Sequence, residues 1–449
     1  MNFNITKEFL EVLHQKIEQK DLSWIKENVL SLHYADIAEI MDCLDNQEAK
    51  YIYGLVDEET QGDILMEVEE SVRERFLASL SNKEIAEQLE NLESDDAADL
   101  LGDLPDEQKE DVISKMDDDE AAEVVDLLKY DEDSAGGVMQ KELIKANMNW
   151  PVNRAVVQLR KQAENVEKVY HIYVVDDDDR LVGVLSLKRL LFAGAKTKIS
   201  DLYQSTNIIS VKSNESLETV SKTMEKYDLV TIPVLDLQNK LIGRITFDDI
   251  VEFIKEEADK DYQMASGLSE KVDSYSSVWR ISKARLPWLL IGMIGGVFGA
   301  QVISGFEGGI ARVPELAFYI PLIMAMGGNI GVQSSAIVVQ SLAKDSKPLG
   351  SILTKIARES LVAIINGLFL SFLIYAIALA FGNAKLGLVV SFSLFAVIMV
   401  AAIFGTLIPL LLNKYKIDPA LATGPFITTL NDVVGLFIYF TIGMMMYNL

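Results

Sequence analysis

From residue 286 onward the alternation of polar and apolar positions nearly disappears. Five apolar runs follow, at 286–303, 316–339, 361–381, 386–412 and 421–446. Each is long enough to cross a hydrocarbon core of about 30 Å, so five membrane-spanning helices are predicted. The preceding part is patterned differently. Between residues 31 and 135 a short phrase recurs as Asp36-Ile-Ala-Glu39, Glu84-Ile-Ala-Glu87, Asp96-Ala-Ala-Asp99 and Glu120-Ala-Ala-Glu123. Its starts differ by 48, 12 and 24, all multiples of 12. Since about 24 residues hold a helical hairpin, a small helical solenoid is predicted. Further on, residues 171–186 align without gaps to residues 231–246 at an offset of 60. Each copy reads as a strand, a polar turn, a strand and then a helix, at 187–192 and 247–255. Residues 248–266 form a charged amphipathic stretch closed by Gly267, which predicts a connecting helix. The expected architecture is therefore multidomain: an all-α solenoid at 1–135, a tandem α/β pair at 136–200 and 201–258, a connecting region at 248–284 that overlaps the second repeat, and an all-α membrane domain of five transmembrane helices at 285–449.

Charge sharpens this division. Residues 1–270 hold 29 Lys and Arg against 60 Asp and Glu, a net of −31, while the rest hold 12 against 7, a net of +5. So acidic a half repels nucleic acid, whose phosphates need cations, and invites cations instead. A single cysteine, Cys43, excludes an intrachain disulfide. The first twenty residues hold no apolar core of a signal peptide, so the acidic half is expected in the cytoplasm. The basic residues agree with that orientation. Arg280, Lys283 and Arg285, then Lys344, Lys347, Lys355 and Arg358, then Lys414 and Lys416 fall on one side of the five spans, and only Arg312 and Lys385 on the other. By the positive-inside rule the N-terminus is cytoplasmic, the short C-terminal tail is extracytoplasmic, and the chain is a multi-pass protein of the cytoplasmic membrane.

Two spans carry unusual polar residues. In the second, Gly328, Gly331 and Ser334 share a small-residue face, and Asn329 and Gln333 lie one turn apart. Close helix packing and the lining of a wet cavity both fit. In the fifth, Pro425, Thr428, Thr429, Asp432 and Gly435 fall on one stripe, with Asp432 about halfway along the apolar run. A carboxylate there costs roughly 2.5–3.5 kcal/mol on insertion scales and needs a compensating role, as an ion path, a proton relay or a protonated acid bonded to a neighbouring helix. No Lys or Arg lies in a span at comparable depth. Pro425 is expected to free a backbone carbonyl one turn earlier. The stripe then offers only oxygen donors, which hard cations prefer. Arg358 and Glu359 read as interfacial residues, and Asp418, in the loop before the fifth span, as a helix cap or a cation attractor.

The acidic half supplies a second set of candidates. Glu93, Asp95, Asp96, Asp99 and Asp103 crowd one segment, and Asp248, Asp249, Glu252, Glu256, Glu257 and Asp259 line the connecting helix. Most such acids form solvated faces, and no EF-hand spacing occurs. A cation held here would sit between elements, loosely and through water.

The tandem repeat resembles the CBS domain pair, in which an adenosine nucleotide often binds between the repeats. That resemblance implies ribose contacts from Gly243, Thr246 and Asp249. The equivalent positions of the first copy, Gly183, Ser186 and Arg189, lack the acid. The full order of parts, with Gly327-Gly328-Asn329-x-Gly331-x-Gln333 and Asp418-Pro419-Ala420…Pro425…Asp432-x-x-Gly435, resembles the MgtE family of magnesium channels. The resemblance implies a homodimer with one pore lined by the second and fifth helices of both subunits. It implies hydrated Mg²⁺ at paired Asp432 side chains, with Thr428, Thr429, Asn329 and Pro425 around the path. It also implies closure by cytoplasmic Mg²⁺ at the acids Asp95, Asp96, Asp99, Asp248, Asp249, Glu252, Glu256, Glu257, Asp259 and Asp418. ATP is the expected regulatory nucleotide, and Co²⁺, Mn²⁺ and Ni²⁺ stay open as further cargo. A secondary divalent-cation transporter and a membrane-tethered nucleotide sensor are the competing readings. No Walker A loop, HExxH or Cys/His metal cluster points to an enzyme.

Overall fold

The computed structural model describes all residues except 1–3, 164, 165, 167, 206, 207, 271, 273–275, 344–351, 423 and 449, and the side chains of 59, 343 and 422. Lys344 and Lys347 thus lie outside the described residues. The chain divides into two compact units, Met1–Lys255 and Glu256–Leu449.

The first unit opens with α1 (Lys7–Glu18) and α2 (Leu22–Asn28). Eight short helices follow: α3 (Tyr34–Asp42), α4 (Asn46–Tyr53), α5 (Glu58–Glu67), α6 (Glu70–Leu77), α7 (Asn82–Leu89), α8 (Ser94–Gly102), α9 (Asp106–Ile113) and α10 (Asp118–Leu127). Their first residues fall 12 apart throughout. The beat is chemical. Asp45, Asp57, Ser81 and Asp117 each accept a backbone N–H at a helix start, and Asp45–Glu48 and Ser81–Glu84 form full capping boxes. Between the caps, every twelfth side chain from Ile40 through Ile52, Ile64, Phe76, Gln88, Leu100 and Val112 to Val124 is buried. The 12-residue spacing read from the acidic phrase is the pitch of this stack.

The tandem repeat follows as β1 (Lys145–Asn147), α11 (Val152–Gln162), β2 (Ile172–Val175), β3 (Leu181–Leu185) and α12 (Leu187–Leu191), then β4 (Val211–Lys212), α13 (Leu217–Tyr227), β5 (Thr231–Leu235), β6 (Leu241–Thr246) and α14 (Phe247–Ala265). Each repeat has a three-stranded sheet with one parallel and one antiparallel pairing. Both sheets shift register at the same point, Val174/Val175 and Val234/Leu235. Both turns use a left-handed residue, Asp179 at φ 61° and Asn239 at φ 68°. These turns exchange hydrogen bonds, Leu181 N–H to the Asn239 carbonyl at 3.3 Å and Leu241 N–H to the Asp179 carbonyl at 3.0 Å. One apolar core runs from the solenoid into the second repeat, whereas the first repeat has its own.

The helices expected at 247–255 and 248–266 are one helix, α14, and the unit boundary falls inside it. Gly267, at φ 83°, ends it as anticipated. Gly267 N–H bonds the Met264 carbonyl and Leu268 N–H the Gln263 carbonyl, both at 3.0 Å, a Schellman closure that favours a residue without Cβ.

The second unit contains α15 (Val278–Gly305), α16 (Glu307–Arg312), α17 (Ile320–Ala343), α18 (Ile352–Ala380), α19 (Ala384–Lys414) and α20 (Pro425–Tyr447). Five of its helical stretches are long and apolar enough to cross a membrane. The central one is α19, whose small and branched residues Val389, Ser393, Val397 and Ala401 are buried among its neighbours. Two expectations need correction. The last helix starts at Pro425 rather than near 421, so Asp432 is its eighth residue of 23 and lies nearer one end than the middle. Pro425 is the first residue of that helix, where a missing N–H breaks no ladder bond, so it frees no carbonyl within the span. The carbonyl of Gly424 is taken twice, by Thr428 N–H at 3.1 Å and Thr428 Oγ1 at 3.0 Å.

Candidate functional site

In the membrane unit, α20 meets α17 along a line of glycines. A Cβ built on Gly328 would lie 3.0 Å from Thr428 Cγ2 and 3.7 Å from Asp432 Oδ1. One on Gly331 would collide with the Asn431 amide. The small face of α17 therefore exists so that α20 can come close. Asn431 is 2% exposed, and neither polar atom of its side chain has a partner. Asp432, one residue on, is half-buried and makes no hydrogen bond or ion pair among the described residues. The stripe read from the sequence divides by neighbour. Thr428 faces Gly328, Thr429 packs its methyl into Gly295 of α15, and Gly435 lies against Val397 of α19. Asn329 and Gln333 are exposed on the single chain and line a cavity of about 270 Å³ with Asn366 of α18. Glu359 is more than interfacial, because it accepts a 2.8 Å hydrogen bond from Ser334 Oγ across α17 and α18.

The start of α20 carries a second feature. Gly424 adopts φ 56° and ψ −127°, a region that L-residues with side chains avoid. A Cβ there would strike the Ala265 carbonyl at the end of α14. Pro425 Cγ would stand 2.9 Å from a Cβ on Gly267. The carbonyl end of α14, the partially negative end of a helix, thus docks on the start of α20. Asp261 of α14 has its carboxyl pushed up by desolvation and then by Asp418 and Glu257. Asp418 caps the turn before α20 by accepting from Ala420 N–H at 2.8 Å. Glu256 and Asp259 are exposed, and Glu257 pairs with Lys260 at 3.0 Å. Asp261 was missed in the sequence, although its position four after Glu257 places it on the same helix face.

The first unit holds the acidic cluster. Asp95, Asp96 and Asp99 of α8 approach Asp249 and Glu252 of α14. Asp95 is 5% exposed and its Oδ1 has no partner. Desolvation, then Asp249 and Asp96, push its carboxyl well up. Asp96 is pushed up to about 8 by desolvation and then Asp249. Asp99 stands at the exposed rim, where water screens it, so the weight rests on the other two. Glu142, not singled out in the sequence, binds Ser94 N–H and Oγ at 3.0 and 2.9 Å and adds another negative charge. Among the described residues two guanidiniums answer them, Arg73 beside Asp99 and Arg244 beside Glu93. The buried Arg244 guanidinium reaches Glu93 at 3.7 Å and the Gln140 side chain at 3.2 Å. Among the described residues, no three His, Cys, Asp or Glu side chains converge tightly enough to hold a bare metal ion. Asp248 is exposed beside the cluster.

The expected nucleotide residues are engaged locally. Asp249 Oδ2 accepts from Thr246 N–H at 2.9 Å and Thr246 Oγ1 at 2.6 Å, closing the first turn of α14. Gly243 lies under Met139 and Gln140, whose backbone bridges Arg244 in both directions.

A membrane domain with an intramembrane acid that has no partner among the described residues, joined by a charged helix to a tandem α/β repeat and an acidic solenoid, defines a multidomain transporter of cations. Comparison with known proteins narrows this. Residues 320–442 match the family described as "MgtE: Divalent cation transporter", residues 32–133 match "MgtE intracellular N domain", and residues 135–196 and 199–256 match the CBS domain. Magnesium transporter MgtE of Enterococcus faecalis is 35% identical over 98% of this chain and 97% of its own length. That of Bacillus subtilis is 37% identical over 71% of this chain and 70% of its own. A crystal structure of the cytosolic domain of the Mg²⁺ channel MgtE in complex with ATP matches with 28% identity and a TM-score of 0.50, covering 54% of this chain and 99% of that one. The chain belongs to the MgtE family of magnesium transporters.

Proposed function

We propose that two copies of this chain form a Mg²⁺ channel that admits magnesium across the cytoplasmic membrane and is closed by cytoplasmic Mg²⁺. The observation that carries the pore is Asp432, a membrane carboxylate without a partner among the described residues, beside the close approach of α17 and α20. Mg²⁺ sheds water reluctantly and favours octahedral oxygen. Paired Asp432 side chains, with Asn329 and the Thr428 hydroxyl nearby, hold a hydrated ion without stripping it. Pro425 sets the start of α20, and Thr429 holds α20 to α15. The exposed amides of α17 in the single chain suit a face shared with a second copy. The N-terminus lies in the cytoplasm and the C-terminus outside.

Closure rests on like charge. Asp95, Asp96, Asp99, Asp248, Asp249 and Glu252 repel until divalent ions, bound through water, join α8 to α14. Glu256, Glu257, Asp259, Asp261 and Asp418 extend the same attraction toward the start of α20. ATP binds the CBS pair as a regulatory ligand, and supporting this is the ATP complex of the related cytosolic domain. Calorimetry should lose ATP binding in Asp249→Ala if that acid contacts the ribose.

Flux into liposomes tests the pore. Wild-type chain should admit Mg²⁺, and Asp432→Ala should fall to the protein-free baseline while eluting as the same oligomer. Normal uptake by that variant would remove Asp432 from the path.

A further inference from the structure

A cavity of about 680 Å³ opens at the first turns of α15, lined by Ser266, Leu268, Arg285, Trp288, Gly292 and Pro425 among others. Its polar features gather at one end. Trp288 is 8% exposed, and its indole N–H is buried without a hydrogen-bond partner. That nitrogen is closed off even from water, so the ring forms a wall of the cavity and offers it no donor. Arg285 brings a cation that no carboxylate answers among the described residues, whereas its neighbour Lys283 pairs with Glu270 at 2.9 Å. The other end is apolar. Leu289 and Met293 are 65% and 61% exposed on this edge of α15. A Cβ on Gly292 or on Gly296 one turn further would meet nothing within 4 Å. The slot thus runs from the Arg285 guanidinium onto the uncovered apolar flank of a membrane helix.

We infer that this cavity binds an anionic phospholipid, its phosphate oxygens taken by Arg285 and its chain laid along Gly292 and Gly296. A free phosphate would satisfy the guanidinium but leave the apolar slot unfilled. A zwitterionic lipid would bring its own cation against Arg285. Because Gly267 and Pro425 close one wall, a bound lipid braces the joint between the end of α14 and the start of α20.

Native mass spectrometry of the full chain in detergent tests this, with phosphatidylglycerol and phosphatidylcholine of equal chain length as probes. The wild type should retain phosphatidylglycerol about fivefold better. Arg285→Gln should erase that preference, and Arg285→Lys should restore part of it. Gly292→Leu should weaken both lipids by filling the slot. Equal retention of the two lipids by the wild type would overturn the inference, as would release of phosphatidylglycerol by millimolar inorganic phosphate alone. Cross-linking between copies through Gly292→Cys in a Cys43→Ser background would also overturn it, since a second copy would then cover the cavity.

Discussion

The acids of the first unit and the acid of the second are withdrawn from water for different ends. Around Asp95 the chain gathers Glu93, Asp96, Glu142, Asp249 and Glu252, with the Arg244 guanidinium beside Glu93. Around Asp432 it gathers no charged partner among the described residues. A crowd of carboxylates costs free energy that falls when protons or cations arrive, so it reports on their concentration through the packing of α8 against α14. A solitary carboxylate leaves packing alone and offers only a place for a charge to pause. The contrast teaches that burial of an acid does not by itself distinguish regulation from conduction; the number of like charges on separate elements does.

The largest effect that could break this contrast is in the crowd. Asp95→Asn, Asp96→Asn and Asp249→Asn together should raise the Mg²⁺-free melting temperature of the first unit, by about 2–4 °C for each kcal/mol of repulsion removed. The same variant should lose Mg²⁺-dependent protection of α14 against protease. Full protection by Mg²⁺ in this variant would mean that sensing lies elsewhere. Asp432→Asn should leave both readouts unchanged while its flux loses divalent preference.

A smaller effect follows from pH. Asp95, Asp96 and Asp249 have folded-state values above the unfolded one, so each takes up protons on folding. Their protonated form supports the fold fully below about pH 4, and this support is lost as pH rises through about 8, the value for Asp96. Melting without Mg²⁺ should therefore occur at lower temperature at about pH 8 than at about pH 5, and added Mg²⁺ should flatten the slope. A profile equally steep in the triple variant would assign the effect to other groups.

The smallest effect concerns the joint. Gly424→Ala places a Cβ in a region costing about 1–3 kcal/mol and against the Ala265 carbonyl. The end of α14 should lift, and protease should reach Tyr262 at Mg²⁺ levels that protect the wild type. Unchanged cleavage would show that the docked end of α14 bears no strain.

Much of this was legible in the residues. The five spans, the offset of 60, the beat of 12 and the stop at Gly267 are local or periodic signals, and each survives in the coordinates. What escaped depends on how one helix is rotated against another. Thr429 shares a stripe with Asp432 but turns into Gly295. Thr246 and Asp249 fit a ribose on paper, yet three residues apart at a helix start they satisfy one another. Pro425 looked interior because the apolar run begins before the helix does. Asp261 and Glu142 gained meaning only from distant partners, Asp418 and Ser94.

The even pitch of α3 to α10 also governs which changes of length the chain tolerates. A single extra residue inside one of these helices would rotate the rest of it by about 100°, carrying its acids inward and its Ile or Val outward. Gain or loss of a whole hairpin, 24 residues at this pitch, would leave every remaining cap and core position in phase. The stack can therefore be shortened or extended only in whole steps, and a tandem duplication is the gentlest large rearrangement open to it.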